Sequence, residues 1–418
     1  MAIQDAAPAG VVNAAGALSS DLPSERPLRH LGYLDSLRGL AILGVLLVHA
    51  GFSVVDIQHV PLAQILFIGQ RGVQLFYLVS AFTLFYTLDT QRRDEHPKRN
   101  FYLRRFFRIA PLFYLDLIFK AWVLGRGMSL PLYLSAVVFL NGWSHTAINI
   151  VPAGWSIAVE VTFYAFVPFL FTWIRNLRQA LVGLVVATAV SVPLCYGLAK
   201  HVPGDFYTFL WFPAEAPVFM MGIVAYFLWK GRLDPAAAEA RTDVMPAAER
   251  RGLSLALLLV SAALIFGAVN LNADLPGQEA WRNTHLLFAS LGFIPLLLAV
   301  ALHEPTLLVN RFTRFLGRIS YSVYLSHGYV MILIEWIHRR WFEGIFHGRL
   351  HNTVGGVAVS LILLLALSIP VSMLLWRIVE QPGIRLGRRI IAALEGRTDR
   401  SEAVASLGSA GNSPDAQF

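Results

Sequence analysis

Apolar stretches close to twenty residues long follow one another along most of this 418-residue chain. About twenty consecutive apolar residues are what a helix needs to cross the hydrocarbon core of a bilayer. Such stretches fall at 36–54, 62–88, 102–123, 153–174, 179–199, 206–230, 252–271, 284–303, 316–337 and 354–378. They predict an all-α polytopic membrane protein with about ten transmembrane helices. An eleventh run, Leu130–Leu140, is too short to span and is bracketed by Gly127 and by Asn141-Gly142. It reads as one short re-entrant or interfacial segment, allowed at membrane depth only under cover of protein or water. The chain is 56% hydrophobic and 14% charged, against roughly 25% charged residues in a soluble domain. No soluble core hides that much apolar surface, so lipid is the solvent.

The net charge of +8 does not describe a nucleic-acid groove, because the basic residues fall in short clusters between the apolar runs. Clusters of that kind orient a membrane protein. Ten spans with the N-terminus inside place Arg26 and Arg29, Arg92 to Arg105, Arg175 and Arg178, Lys230 to Arg251, Arg311 and Arg314, and Arg385 to Arg389 on the inner side. Arg339, Arg340 and Arg349 are the exception, in an outer loop. If Leu130–Leu140 spanned, every later cluster would face out. Residues 1–32 lack an apolar core and read as a disordered cytoplasmic tail rather than a signal peptide. Residues 33–390 form the transmembrane domain and 391–418 a second disordered cytoplasmic tail. The single cysteine, Cys195, reads as a packing residue and excludes an intrachain disulfide.

Ionisable residues inside apolar helices are costly and mark sites or pathways. The first span carries Arg38 and His49. Eleven residues is about three turns, so both share one face roughly 16 Å apart along the axis; a snorkelling arginine and a satisfied core histidine explain the pair equally well. Counting depth from the assumed outer ends puts Arg71, Glu160, Glu215 and His49 at one level, which suggests a polar chamber in the outer half. Structural pairing of Arg71 with a glutamate is the plainer alternative. His327 would line the chamber from below. Arg105 and Arg108, three apart at the start of the third span, share a face and suit a phosphate-rich ligand, or equally lipid headgroups. His338, His347 and His351 show no metal-ligand pattern and read as surface.

Six segments in order resemble the transmembrane acyltransferase 3 family of bacterial membrane O-acyltransferases, over about Tyr33 to Pro382. Arg38 and His49 match its Arg/Lys-x10-His motif. Gly72-Val-Gln-Leu-Phe-Tyr-Leu-Val-Ser80-Ala-Phe matches Gly-Val-x-Leu-Phe-Phe-x-x-Ser-Gly-Phe, with Tyr77 and Ala81 as departures. Arg105-Phe-Phe-Arg108 matches Arg-x-x-Arg. Trp155-Ser-Ile-Ala-Val-Glu160-Val-Thr-Phe-Tyr164 matches Trp-Ser-Leu-x-x-Glu-x-x-Phe-Tyr. Gly317-Arg-Ile-Ser-Tyr-Ser-Val-Tyr-Leu-Ser-His327 matches Gly-x-x-Ser-Tyr-x-x-Tyr-Leu-x-His, and Glu380-Gln-Pro382 matches Glu-x-Pro.

The resemblance implies transfer of an acyl group, acetyl above all, from cytoplasmic acyl-CoA to a hydroxyl of a cell-envelope glycan, polysaccharide or lipid-linked sugar at the bacterial inner membrane. A thioester donor needs no metal. Arg105 and Arg108 would hold the CoA phosphates. His49 would be catalytic, as general base or brief acyl carrier, with Arg38 along the thioester's path. From its depth, Glu160 would orient His49 or the acceptor, and Arg71, Ser80, Trp155, Glu215 and His327 would line the substrate chamber. Glu380 would cap or salt-bridge the last helix at the inner boundary. An envelope-biosynthesis protein partner is allowed. Two other readings stay open: an acyltransferase acting on a small cytoplasmic molecule of macrolide type, and a transporter or flippase of envelope glycans. The coexistence of the paired arginines with Arg38 and His49 favours the enzyme.

Overall fold

The computed structural model describes residues 31–55, 66, 68–91, 96–124, 129–143, 153–199, 209–234, 245–270, 278–337 and 351–395. The two expected tails outside 31–395, His338, His347 and the arginines of that outer loop lie outside the described residues. Among the described residues the chain is helical, with no strand. The helices are α1 (Gly32–Phe52), α2 (Gly72–Thr90), α3 (Pro97–Leu124), α4 (Leu130–Val137), α5 (Gly154–Trp173), α6 (Leu177–Ala199) and α7 (Phe212–Arg232), then α8 (Ala247–Asn270), α9 (Gln278–Leu291), α10 (Phe293–Leu302), α11 (Arg311–Ile337), α12 (Val354–Leu375) and α13 (Gln381–Leu394).

Among the described residues eight helical segments are long and apolar enough to cross a membrane. Segments α3 and α11 bring more charge to the predicted spans they contain, yet at 28 and 27 residues each reaches about 40 Å, ample for a bilayer. The outer faces of α6 and α8 are bare hydrocarbon: Val185 is 66% and Leu259 63% exposed, as a lipid-facing surface requires. Helix α4, eight residues long, is about 12 Å and cannot cross. It folds back through Phe139, which adopts φ 58° and packs its ring 4.7 Å from that of Phe113. The predicted span 284–303 is bent at Gly292, between α9 and α10. Pro295 removes an amide there, and Gly292 is pressed against Ser261 O of α8.

The centre of the bundle is built on glycine contacts. A Cβ on Gly39 of α1 would lie 2.0 Å from Thr313 O of α11, and one on Gly317 would lie 1.8 Å from Asp35 O. Each carbonyl belongs to the residue four before the glycine on its own helix, so the two contacts are reciprocal, the signature of two helices crossing backbone to backbone. Helix α2 runs antiparallel on α1: Gly69 meets Gly44 O, Gly72 meets Ala41 O, and Thr83 hydrogen-bonds Arg38. Helix α13 continues from a π turn, Trp376–Glu380, and Gly383 lies against Pro111 and Phe107 O of α3, the carbonyl that Pro111 leaves without its helical donor. Asn100 of α3 donates to Glu395 at 2.5 Å, so α13 carries the described chain past residue 390, the expected domain boundary.

Candidate functional site

Between α1, α2, α3, α5 and α11 lies a cavity of about 80 Å³, lined by Arg38, Ser80, Arg105, Arg108 and Glu160 with Phe76, Tyr77, Ser156, Tyr164, Tyr321 and Tyr324. Three guanidinium groups thus face one carboxylate. Arg38 donates to Thr83 Oγ1 at 2.9 Å and sits 3.4 Å from Asp35. Arg105 lies over the Tyr164 ring, 5.9 Å from its centroid, and its buried Nε has no hydrogen-bond partner among the described residues. No carboxylate there pairs with Arg105 or Arg108 within 4 Å. A surplus of cations over carboxylates in a largely enclosed site favours an anionic occupant.

Glu160 Oε1 accepts hydrogen bonds from Ser80 Oγ at 2.5 Å and Tyr164 OH at 2.7 Å. Glu160 and Tyr164 are four apart on α5 and so share a face. Replacing Glu160 with alanine leaves both hydroxyls without an acceptor, at about 1–3 kcal/mol for each buried donor. Thermal unfolding in detergent is expected to fall clearly for Glu160→Ala and less for Glu160→Gln, which retains a carbonyl acceptor.

His49 and His327 form a pair, with ring centroids 5.0 Å apart and planes inclined at 40°. The glycine crossing explains it: both histidines lie ten residues on from their glycines, Gly39 and Gly317, so two helices in parallel register bring them level. Tyr324 O lies 2.6 Å from His327 Nδ1. A carbonyl only accepts, so Nδ1 carries the proton, leaving Nε2 with its lone pair in the neutral ring. His49 itself makes no hydrogen bond among the described residues. In particular, Glu160 does not touch it, and the expected direct orientation of His49 by Glu160 is not formed.

A polar and aromatic layer separates the histidines from the arginines. Ser156 Oγ donates to Tyr324 OH at 2.7 Å, Tyr77 OH donates to Ser156 O at 3.3 Å, and the Phe76 ring meets that of Tyr324 edge-on at 6.2 Å. Tyr324 in turn lies 5.6 Å from the His327 ring.

The four groups expected at one depth divide between levels. Glu160 bonds Ser80, whereas the fully buried Glu215 accepts from Gln74 Nε2 at 2.7 Å. Ser80 and Gln74 are six residues apart on α2, about 9 Å, so the carboxylates are not level. Glu215 Oε2 and Gln74 Oε1 are buried without a donor among the described residues. Arg71 precedes α2, on the Gln74 side. The Trp155 ring lies tilted at 48° to that of Phe209, 5.3 Å between centroids, and does not line the cavity. Glu380 accepts from Ser322 Oγ of α11 at 2.8 Å and makes no side-chain cap to α13, so it ties α11 to the π turn instead of capping the last helix. Tyr164, Tyr324 and Ser156 are themselves matched positions of the motifs, and that match was the signal for them, although the sequence alone gave them no role. Among the described residues no cluster of three metal-ligating side chains occurs.

The family described as an acyltransferase domain, acyltransferase 3, matches residues 31–377. The chain belongs to that family. Among its curated relatives, the peptidoglycan O-acetyltransferase OatA of Listeria monocytogenes is 24% identical over 336 residues, 72% of this chain and 49% of the relative. The O-acetyltransferase OatA of Staphylococcus aureus is 22% identical over 347 residues, covering 73% and 51%. This chain therefore spans about half the length of the curated relatives it matches. No solved structure matches it. The family match and the apolar helices together make it a multi-pass membrane protein of the acyltransferase 3 family.

Proposed function

We propose that this acyltransferase moves an acetyl group from cytoplasmic acetyl-CoA to a hydroxyl of a cell-envelope glycan, working in a bacterial inner membrane with both termini in the cytoplasm. The observation that carries the reading is the arginine-lined cavity on the same helix, α1, as the paired His49. Arg105 and Arg108 hold the CoA phosphates through charge-assisted hydrogen bonds, and Arg38 steers the thioester inward. The glycan class rests on the names of the relatives, which are O-acetyltransferases and in one case act on peptidoglycan.

In the overall reaction the acyl carbon–sulfur bond breaks and an acyl carbon–oxygen bond forms. His49 takes the proton from the acceptor hydroxyl as that oxygen attacks, and the proton ends on the CoA sulfur. The His327 Nε2 lone pair beside it steadies the imidazolium that forms. A thioester supplies the activation, so the chain's residues need only bind, align and move that proton.

The test is acetyl-CoA turnover by the purified chain in nanodiscs with N-acetylglucosamine oligomers, following free CoA and ester product. Arg105→Gln together with Arg108→Gln is expected to weaken acetyl-CoA binding at least ~10-fold, since each hydrogen bond to a charged group contributes about 1.5–3 kcal/mol. Parent-like binding in the double variant would assign those arginines to membrane orientation alone. Absence of CoA release by the parent, with glycan transport observed instead, would favour the flippase.

A further inference from the structure

We infer that Phe76 and Tyr324 form an acyl-length filter between the CoA cavity and His49, restricting the donor to short acyl groups. The inference rests on the acetyl-transfer reading above and extends it to donor selection.

Three observations locate the filter. With Gly69 beside Gly44 and Gly72 beside Ala41, Phe76 is level with Leu37, between His49 and the Arg38 guanidinium, which reaches to Thr83 and Asp35. On α11, Tyr324 precedes His327 by three residues, placing it between the cavity-lining Ser320 and the histidine pair. The two rings touch edge to face, and Tyr324 is held there by Ser156. A thioester whose phosphates sit on Arg105 and Arg108 thus meets Phe76 and Tyr324 on its way from the cavity to His49.

Size then decides. The free space that Phe76 and Tyr324 line together with the arginines is only about 80 Å³. Room for the acyl end must come from movement of the Phe76 side chain, which is not tied by any hydrogen bond, whereas Tyr324 is. A two-carbon acyl group demands the least movement, and each further methylene demands more from rings packed into helices that already meet backbone to backbone. In an apolar slot one methylene discriminates by roughly 10–200-fold.

The experiment compares acetyl-CoA, propionyl-CoA and butyryl-CoA as donors for the full chain in nanodiscs with N-acetylglucosamine oligomers, reading kcat/KM from CoA release. The parent is expected to favour acetyl over butyryl by ~100-fold or more. Phe76→Ala opens the slot and is expected to narrow that ratio at least ~10-fold; Phe76→Leu, which keeps an apolar side chain in the packing, shifts it in the same direction by less. The readout is a ratio within one protein, so a general loss of activity does not imitate it. If Phe76→Ala fails to fold, Phe76→Leu alone carries the test. A parent indifferent to chain length, or an unchanged ratio in every folded variant, overturns the filter and leaves acetyl transfer standing. A parent that releases no CoA from any donor overturns the transfer reading and the filter with it.

Discussion

Replacing His49 with alanine is expected to abolish acyl transfer, lowering kcat by ~10²–10⁴-fold as the loss of a general base does, while acetyl-CoA binding stays within a few-fold of the parent. The separation in the structure is what makes the prediction sharp. His49 does not line the cavity that holds the three arginines; it stands beyond the Phe76–Tyr324 layer, against His327. A residue whose only role is to pack there would leave turnover largely intact. The check is single-turnover CoA release beside equilibrium binding of acetyl-CoA to the same nanodisc preparation. Near-normal turnover in a well-folded His49→Ala protein would sink the catalytic assignment. Loss of binding and turnover together would move His49 into the donor site.

Gly317→Ala is expected to be among the most damaging single-methyl additions to the glycine contacts described above. Its Cβ would sit 1.8 Å from Asp35 O, where no rotamer change helps because both colliding atoms belong to backbone or Cβ. Helices α1 and α11 must then move apart. Overpacking typically costs 1–3 kcal/mol and occasionally more, and a collision with backbone belongs at the upper end. The same displacement pulls His327 away from His49, ten residues further along both helices, so activity falls with stability. Gly267→Ala in α8 is the control: nothing lies within 4 Å of its added Cβ, and removing a helical glycine is expected to stabilise by roughly 0.5–1 kcal/mol. Thermal unfolding and CoA release of the two variants, measured side by side, decide the matter. Equal behaviour would mean that the α1–α11 crossing relaxes freely.

The membrane-spanning character was legible because hydropathy over twenty residues is a local property, and so was the face shared by Arg38 and His49, which one helix fixes. The ordered motifs brought Arg105, Arg108, Ser80 and Glu160 forward, and these four do line one cavity with Arg38. What the chain did not disclose is lateral. Counting depth from assumed helix ends set Glu160 and Glu215 level, but α2 holds them against Ser80 and Gln74 respectively, about 9 Å apart. Nothing in residue order says which helices are neighbours or how far one slides on another. The pairing of His49 with His327 depends on that offset, which two glycines set through contacts far apart in the chain. The separation of arginines from histidines by a ring of Phe76, Tyr77, Ser156 and Tyr324 was equally invisible: the motifs contain all four positions, but nothing in residue order says that they meet.

That ring has a consequence for the cell that houses the enzyme. A protein with an aqueous hollow reaching deep from one surface and a titratable group past its end is a short step from a proton leak. If the proposed transfer holds, the packing of Phe76 against Tyr324 interrupts a file of water between the Arg38 guanidinium and His49, and an acyl end passed between those rings would open no path for protons across the membrane.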